Sequence, residues 1–81
     1  MVYNVYVLKD DKGIFYKGLT NNLSRRLAEH KRGKIKTTRK MLNLRIVYSE
    51  EYDSFRDARK REKYLKTAAG RRFLKKKFLG D

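Results

Sequence analysis

The chain has 81 residues, with 23 Lys and Arg against 9 Asp and Glu, a net charge of +14, one histidine and neither cysteine nor proline. That is a length for one domain spanning residues 1–81 with a modest core, and a composition that leaves no ligands for a structural zinc site, which takes about four Cys or His. No apolar run approaches the roughly 18 residues of a membrane span, and Met1-Val2-Tyr3-Asn4 lacks the basic-then-apolar order of a signal peptide, so a cytoplasmic location is expected.

Val2 to Leu8 is rich in β-branched and aromatic residues and predicts a strand. Lys9 to Gly13 predicts a hairpin loop, with Gly13 at positive φ, and Ile14 to Leu19 the returning strand. Thr20-Asn21-Asn22 supplies an N-cap for a helix from about Leu23 to Arg32, which Gly33 stops. Lys34 to Leu42 reads as a basic, irregular connection. Leu44 to Glu50 predicts a third strand. Ser54-Phe55-Arg56-Asp57 resembles a capping box and opens a second helix to about Lys66. Ala68-Ala69-Gly70 predicts a break, and Arg71 to Phe78 a short basic helix with Phe73, Leu74 and Phe78 against the core. The expected fold is α+β: a small three-stranded, mostly antiparallel sheet flanked by helices, in the order β-β-α-β-α-α.

The positive field draws in polyanions, nucleic acid ahead of acidic membrane surface. Self-repulsion on this scale destabilises a small fold and argues against solubility as its only use. Phosphate contacts would supply affinity and a steep salt dependence rather than sequence choice.

Several side chains go beyond charge. The hairpin brings the strands of Tyr6 and Tyr16 side by side. On the first helix Leu23, Leu27 and His30 share one stripe with Arg26 at its edge, and Arg25 and Glu29 are spaced i,i+4 for an outer ion pair. Taken on the helix alone, His30 reads first as a core histidine and Arg26 as a solvated surface arginine. The second helix is more pointed. Phe55, Ala58, Glu62 and Leu65 share one stripe, and a carboxylate among apolar side chains must be paired or bind a metal. A salt bridge to one of the many cations and a site for Mg²⁺ or Mn²⁺, completed by phosphate and water, are both open. A phenol of pKa about 10 is a poor base unless something nearby favours its phenolate; Arg26 or a metal-bound water close by would do so. Tyr3, Tyr48, Tyr52 and Tyr64 need no role beyond packing.

These residues resemble the GIY-YIG nuclease family, in its small stand-alone form and similar to the N-terminal domain of excinuclease C. Asn4-Val5-Tyr6 stands for Gly-Ile-Tyr and Tyr16-Lys17-Gly18 for Tyr-Ile-Gly. Leu19-Thr20 with Asn22 to His30 resembles the next block, with an arginine and a histidine four residues on, and Arg61-Glu62-Lys63 the segment with the metal-binding glutamate. The resemblance implies that Tyr6 or Tyr16 serves as general base for water, that Arg26 stabilises charge on the phosphate with His30 assisting, and that Glu62 holds one divalent cation, Mg²⁺ or Mn²⁺. It implies a metal-dependent DNA endonuclease, structure-selective for branched or nicked DNA, in DNA repair or recombination. The expected phosphate contacts are Lys17, Arg25, Lys34, Lys36, Arg39, Lys40, Arg71, Arg72 and Lys75. Departures are Asn4 and Val5 in the first motif, Lys17 in the second, where strand alternation points it away from Tyr16, and the absence of a late asparagine, since Asn43 is the last and precedes Glu62. The competing reading is a non-catalytic DNA- or RNA-binding module on the same fold.

Overall fold

The computed structural model describes residues 1–79, the side chain of Leu79 excepted. Strands β1 (Tyr3–Lys9), β2 (Phe15–Thr20) and β3 (Arg45–Tyr52) and helices α1 (Leu23–Lys31), α2 (Phe55–Leu65) and α3 (Ala68–Leu79) follow in the expected order β-β-α-β-α-α. The sheet is antiparallel with strand order β2-β1-β3. No helix among the described residues is long and apolar enough to cross a membrane.

The middle strand β1 is covered on both faces, which is why Val5, Tyr6, Val7 and Leu8 form an unbroken buried run. Alternation divides them. Val5 and Val7 pack with Ala58, Leu65 and Leu74 of α2 and α3, with Phe73 and Phe78 against that cluster. Tyr6 and Leu8 pack on the other side with Tyr16, Leu23, Leu27, Met41 and Leu44. Leu65 and Leu74 are fully buried, worth about 1.5–3 kcal/mol each.

Local chemistry sets the element ends. The Asp10 carboxylate accepts from the backbone N–H of Lys12 and Ile14 at 3.0 and 2.8 Å, closing the hairpin loop. This leaves Ile14 outside β2 and 53 % exposed, where the sequence predicted a strand residue. Asn22 caps α1 through the N–H of Arg25, and Ser54 caps α2 through that of Asp57. Gly13 and Gly33 take the positive φ expected of them.

Two segments depart from expectation. The connection after α1 is not wholly irregular: Lys36–Thr38 forms a 3₁₀ turn that buries Thr38. Ala68-Ala69-Gly70 is no break but the first turn of α3. The interruption falls at Lys66 and Thr67, and the Thr67 hydroxyl accepts from the Gly70 N–H at 3.1 Å. Gly70 is there for packing: a Cβ would run into the Tyr64 carbonyl and the Leu65 backbone. Its absence lets α3 turn tightly against the end of α2.

Position along α2 is fixed beside Glu62. Arg61 donates to both oxygens of Glu50 on β3, Nε at 2.9 Å and Nη2 at 3.0 Å, and its guanidinium lies 5.0 Å from the ring centres of both Tyr64 and Phe73. Tyr48 and Tyr52 also donate to Glu50. Burial works to raise the Glu50 pKa, but the bonds from Arg61, Tyr48 and Tyr52 prevail and hold it below the ordinary value. An ion pair of this geometry joins β3, α2 and α3.

Candidate active site

Strand alternation and register assemble the centre of the site. Tyr6 faces α1 and pairs across β1–β2 with Gly18, and Leu8 pairs with Tyr16, so Tyr6 and Tyr16 lie on one face with ring centres 6.3 Å apart. Gly18 has no side chain where one would strike the Tyr6 ring: a Cβ there would fall 2.5 Å from Cζ and on the hydroxyl. The phenol lies over β2 because of that gap. Helix α1 follows after a two-residue link, and its inward stripe carries Leu23, Leu27 and the buried His30.

The Tyr6 hydroxyl lies 2.8 Å from His30 Nε2, and His30 Nδ1 lies 2.7 Å from the Thr38 hydroxyl, which donates to the Ile35 carbonyl at 3.5 Å. One proton arrangement satisfies all of these groups. Tyr6 donates to Nε2 of a neutral imidazole, Nδ1–H donates to Thr38, and Thr38 donates to the carbonyl. Tyr16 presses its ring edge-on to His30, with centres 4.9 Å apart. Tyr6 and His30 are 1 % and 2 % exposed.

Burial pushes the Tyr6 phenol up to about 12, outweighing Arg26, which lowers it; Tyr16 and Glu62 raise it further. Burial, and then the Arg26 charge, pulls the His30 pKa down against a smaller opposing effect of Glu29. Both shifts favour neutral phenol and neutral imidazole at neutral pH. Arg26 acts in the expected direction, toward the phenolate, but burial outweighs it. Arg26 stands beside Tyr6 and is tied to Glu29 at 3.1 Å with its side chain 35 % exposed. The predicted Arg25–Glu29 pair is therefore replaced by Arg26–Glu29, while Arg25 reaches the Asn21 side chain at 3.5 Å.

Glu62 is 7 % exposed on α2, close enough to Tyr6 to act on its charge. Its oxygens are taken by Arg59 at 2.6 Å and Lys66 at 3.1 Å, so the salt-bridge alternative is the one realised here. Phe55, predicted on the same inward stripe, is 54 % exposed. The structure thus brings Tyr6, Tyr16, Arg26 and His30 into contact or close proximity and sets Glu62 nearby. Neither of two concavities near the site holds all five. His30 lines a concavity of about 640 Å³ with Lys31, Arg32, Arg39 and Met41, and Arg26 lines another of about 380 Å³; neither is lined by Tyr6, Tyr16 or Glu62.

Of the expected phosphate contacts, Arg25, Lys34, Lys36, Arg39, Lys40, Arg71, Arg72 and Lys75 are exposed. Lys17 is half-buried, its pKa lowered by burial and then by neighbouring Arg71 and Lys66, so it sits in a cationic cluster on the α2–α3 side. Sequence reasoning missed Thr38, whose hydroxyl meets His30 Nδ1. A threonine inside a basic stretch carries no periodicity to mark it. The role of Gly18 was also hidden, since it follows from the Tyr6–Gly18 register.

A profile described as the GIY-YIG catalytic domain matches residues 2–77. The chain belongs to the GIY-YIG family. A UPF0213 protein of Limosilactobacillus reuteri is 39 % identical, covering 98 % of this chain and 83 % of that protein. A UPF0213 protein of Autographa californica nuclear polyhedrosis virus is 40 % identical, covering 89 % and 71 %. The solution NMR structure of a UPF0213 protein from Bacillus halodurans superposes with a TM-score of 0.58 at 30 % identity, covering 91 % of this chain and 82 % of that one. GIY-YIG domains are generally endonucleases that use a divalent metal on nucleic acid.

The residues of this GIY-YIG chain fit a single cation. Among the described residues no group of three or more His, Cys, Asp and Glu is placed to hold a metal, which disfavours a multi-carboxylate cage. Mg²⁺ needs only one or two carboxylates when phosphate and water complete its shell. Glu62 offers one carboxylate, paired here with Arg59 and Lys66, whose side chains are 47 % and 51 % exposed.

Proposed function

We propose that residues 1–81 act as one nuclease domain, a divalent-metal-dependent endonuclease that hydrolyses phosphodiester bonds in branched or nicked DNA, in repair or recombination in the cytoplasm. The observation that carries this reading is the buried Tyr6–His30–Thr38 hydrogen-bond chain beside the half-exposed Arg26. The two bonds satisfy both nitrogens of a buried imidazole, and with Arg26 beside the phenol they also lay out a path along which a proton can move.

Water at the Tyr6 hydroxyl gives its proton to the phenol oxygen as Tyr6 passes its own to His30 Nε2. Tyr6 is then still a phenol and His30 an imidazolium, oriented throughout by Thr38. The hydroxide oxygen bonds to phosphorus in line, and the bond to the 3′ oxygen breaks. Arg26, held by Glu29, faces the charge that builds on the non-bridging oxygens. Glu62 would hold the cation, which when bound would supply charge beside the leaving 3′ oxygen; that oxygen takes its proton from water. His30 returns its proton through Tyr6 to solvent. The exposed cations of the Lys34–Lys40 segment and of Arg71, Arg72 and Lys75 hold flanking phosphates, and Lys17 adds to their field.

A DNA- or RNA-binding module is the second reading, favoured by one observation: Glu62 is already paired with Arg59 and Lys66. Incubating the protein with duplex, branched, nicked and single-stranded DNA in Mg²⁺, Mn²⁺ or EDTA separates the two. Cleavage is expected with metal alone, falling about 10²-fold or more in Arg26→Ala and being lost in Glu62→Ala. Absence of cleavage under every metal condition would favour the binding module, and wild-type rates in both variants would show that cleavage does not use this site.

A further inference from the structure

Phe55 opens α2 on the stripe of Ala58, Glu62 and Leu65, all buried, yet more than half of its own surface is open to solvent. It meets Tyr3 edge-on, with ring centres 5.7 Å apart and planes at 72°. Together they form one wall of the concavity of about 380 Å³, whose other lining residues include Leu19, Arg25, Arg26 and Glu29. The walls differ in chemistry. One is aromatic and apolar; the other carries two guanidinium groups and a carboxylate. Arg26 belongs both to this concavity and to the Tyr6–His30 centre.

We propose that this concavity is a subsite for one unpaired nucleobase next to the scissile phosphate. The inference rests on the active-site reading for the place of that phosphate at Arg26. A flat ring stacks on Phe55, as bases do on aromatic side chains in single-strand sites, while Arg25 meets the adjoining phosphate. Glu29 stands at the polar wall, where it accepts from an exocyclic amino group. The volume lies within the range of small-molecule pockets. Charge selects the occupant: an apolar peptide would leave Arg25 facing nothing, whereas a nucleotide brings a flat apolar face and an anion together. A base within a duplex has both faces covered by its neighbours, so only a splayed or single-stranded nucleotide can enter. The subsite gives a physical cause for structure selectivity, because DNA with an unpaired nucleotide at the cut offers the base that intact duplex withholds.

The test uses single-stranded DNA carrying 2-aminopurine, and the same strand paired in a duplex, in EDTA so that no cleavage occurs. Stacking on Phe55 is expected to quench the unpaired probe. Phe55→Ala and Phe55→Leu should weaken binding about tenfold and lose most of the quenching, and Phe55→Trp should keep both. Leucine retains apolar contact with Tyr3, so unchanged melting of Phe55→Leu separates lost stacking from lost folding. Three results overturn the subsite: equal quenching by a folded Phe55→Leu, equal quenching of the paired probe, or a wild-type dimer that Phe55→Leu dissociates, which would assign the face to a second copy. If quenching persists in a protein that cuts nothing in metal, the nuclease reading fails and the subsite stands. If cleavage persists without quenching, the reverse holds.

Discussion

Replacing Tyr6 by phenylalanine is expected to lower single-turnover DNA cleavage by about 10²–10⁴-fold, the usual worth of a positioned acid–base group, in a protein that remains folded. The change removes one oxygen and keeps the ring, so the packing of Tyr6 against Tyr16, Leu23 and Leu27 is retained. What disappears is the 2.8 Å bond to His30 Nε2. The neutral imidazole then has a buried acceptor without a donor, which costs about 1–3 kcal/mol of stability, and attacking water loses its route to the base. Tyr16→Phe should cost less, because Tyr16 meets His30 through its ring edge while Tyr6 holds the nitrogen. Equal losses in the two variants would contradict a proton path through Tyr6. Cleavage by Tyr6→Phe at the wild-type rate would remove the path altogether.

Gly18→Ala is expected to damage stability and activity together. The new methyl would fall on the Tyr6 ring, which is wedged beside Tyr16 and His30 and is 1 % exposed, so it has nowhere to swing. Overpacking of this kind costs about 1–3 kcal/mol. For a domain of this size each kilocalorie lowers the melting temperature by about 4–8 °C. The cause is steric crowding, so shortening the partner should relieve it. Gly18→Ala should therefore lower the melting temperature less in a Tyr6→Leu background than in the wild type, and the double variant should be inactive for want of the phenol. Thermal denaturation of the wild type and these variants checks this. A Gly18→Ala protein that melts with the wild type would show that the Tyr6 ring is not held over Gly18.

Most of the fold was legible because its signals are local. Caps at Asn22 and Ser54, the glycine after α1 and the β-branched run of β1 each act within a few residues. The misreadings occur where distant contacts decide. Gly70 looks like a helix breaker in isolation, but it admits the Tyr64 carbonyl, and contact between helices outweighs the intrinsic cost of glycine, about 1 kcal/mol. Phe55 obeys the helical period of its stripe, yet at the first turn of α2 it meets the edge of the sheet at Tyr3 and stays 54 % exposed. At the site, alternation and the hairpin anticipate Tyr6 beside Tyr16, and the helical stripe anticipates His30 facing inward. The choice between Arg25 and Arg26 as partner of Glu29 could not be read from spacing, since i,i+3 and i,i+4 pairs are both allowed. Glu62 was recognisable as a carboxylate on a buried stripe, while its pairing with Arg59 and Lys66 depends on rotamers that the stripe does not specify. Thr38 is legible only once the 3₁₀ turn carries it to His30.

The central claim is that Tyr6 hands its proton to a neutral His30. The chain has one histidine, so its imidazole nitrogens can be followed without ambiguity by ¹H–¹⁵N NMR across a pH titration. Burial and Arg26 depress the folded-state pKa. The ring should therefore stay neutral as pH falls through the ordinary histidine value of about 6.5 and take up a proton only below it. The neutral form should carry its proton on Nδ1, facing Thr38, and Tyr6→Phe should shift the Nε2 resonance. A proton on Nε2 of the neutral ring, or a pKa at or above the ordinary value, would contradict the proposed path.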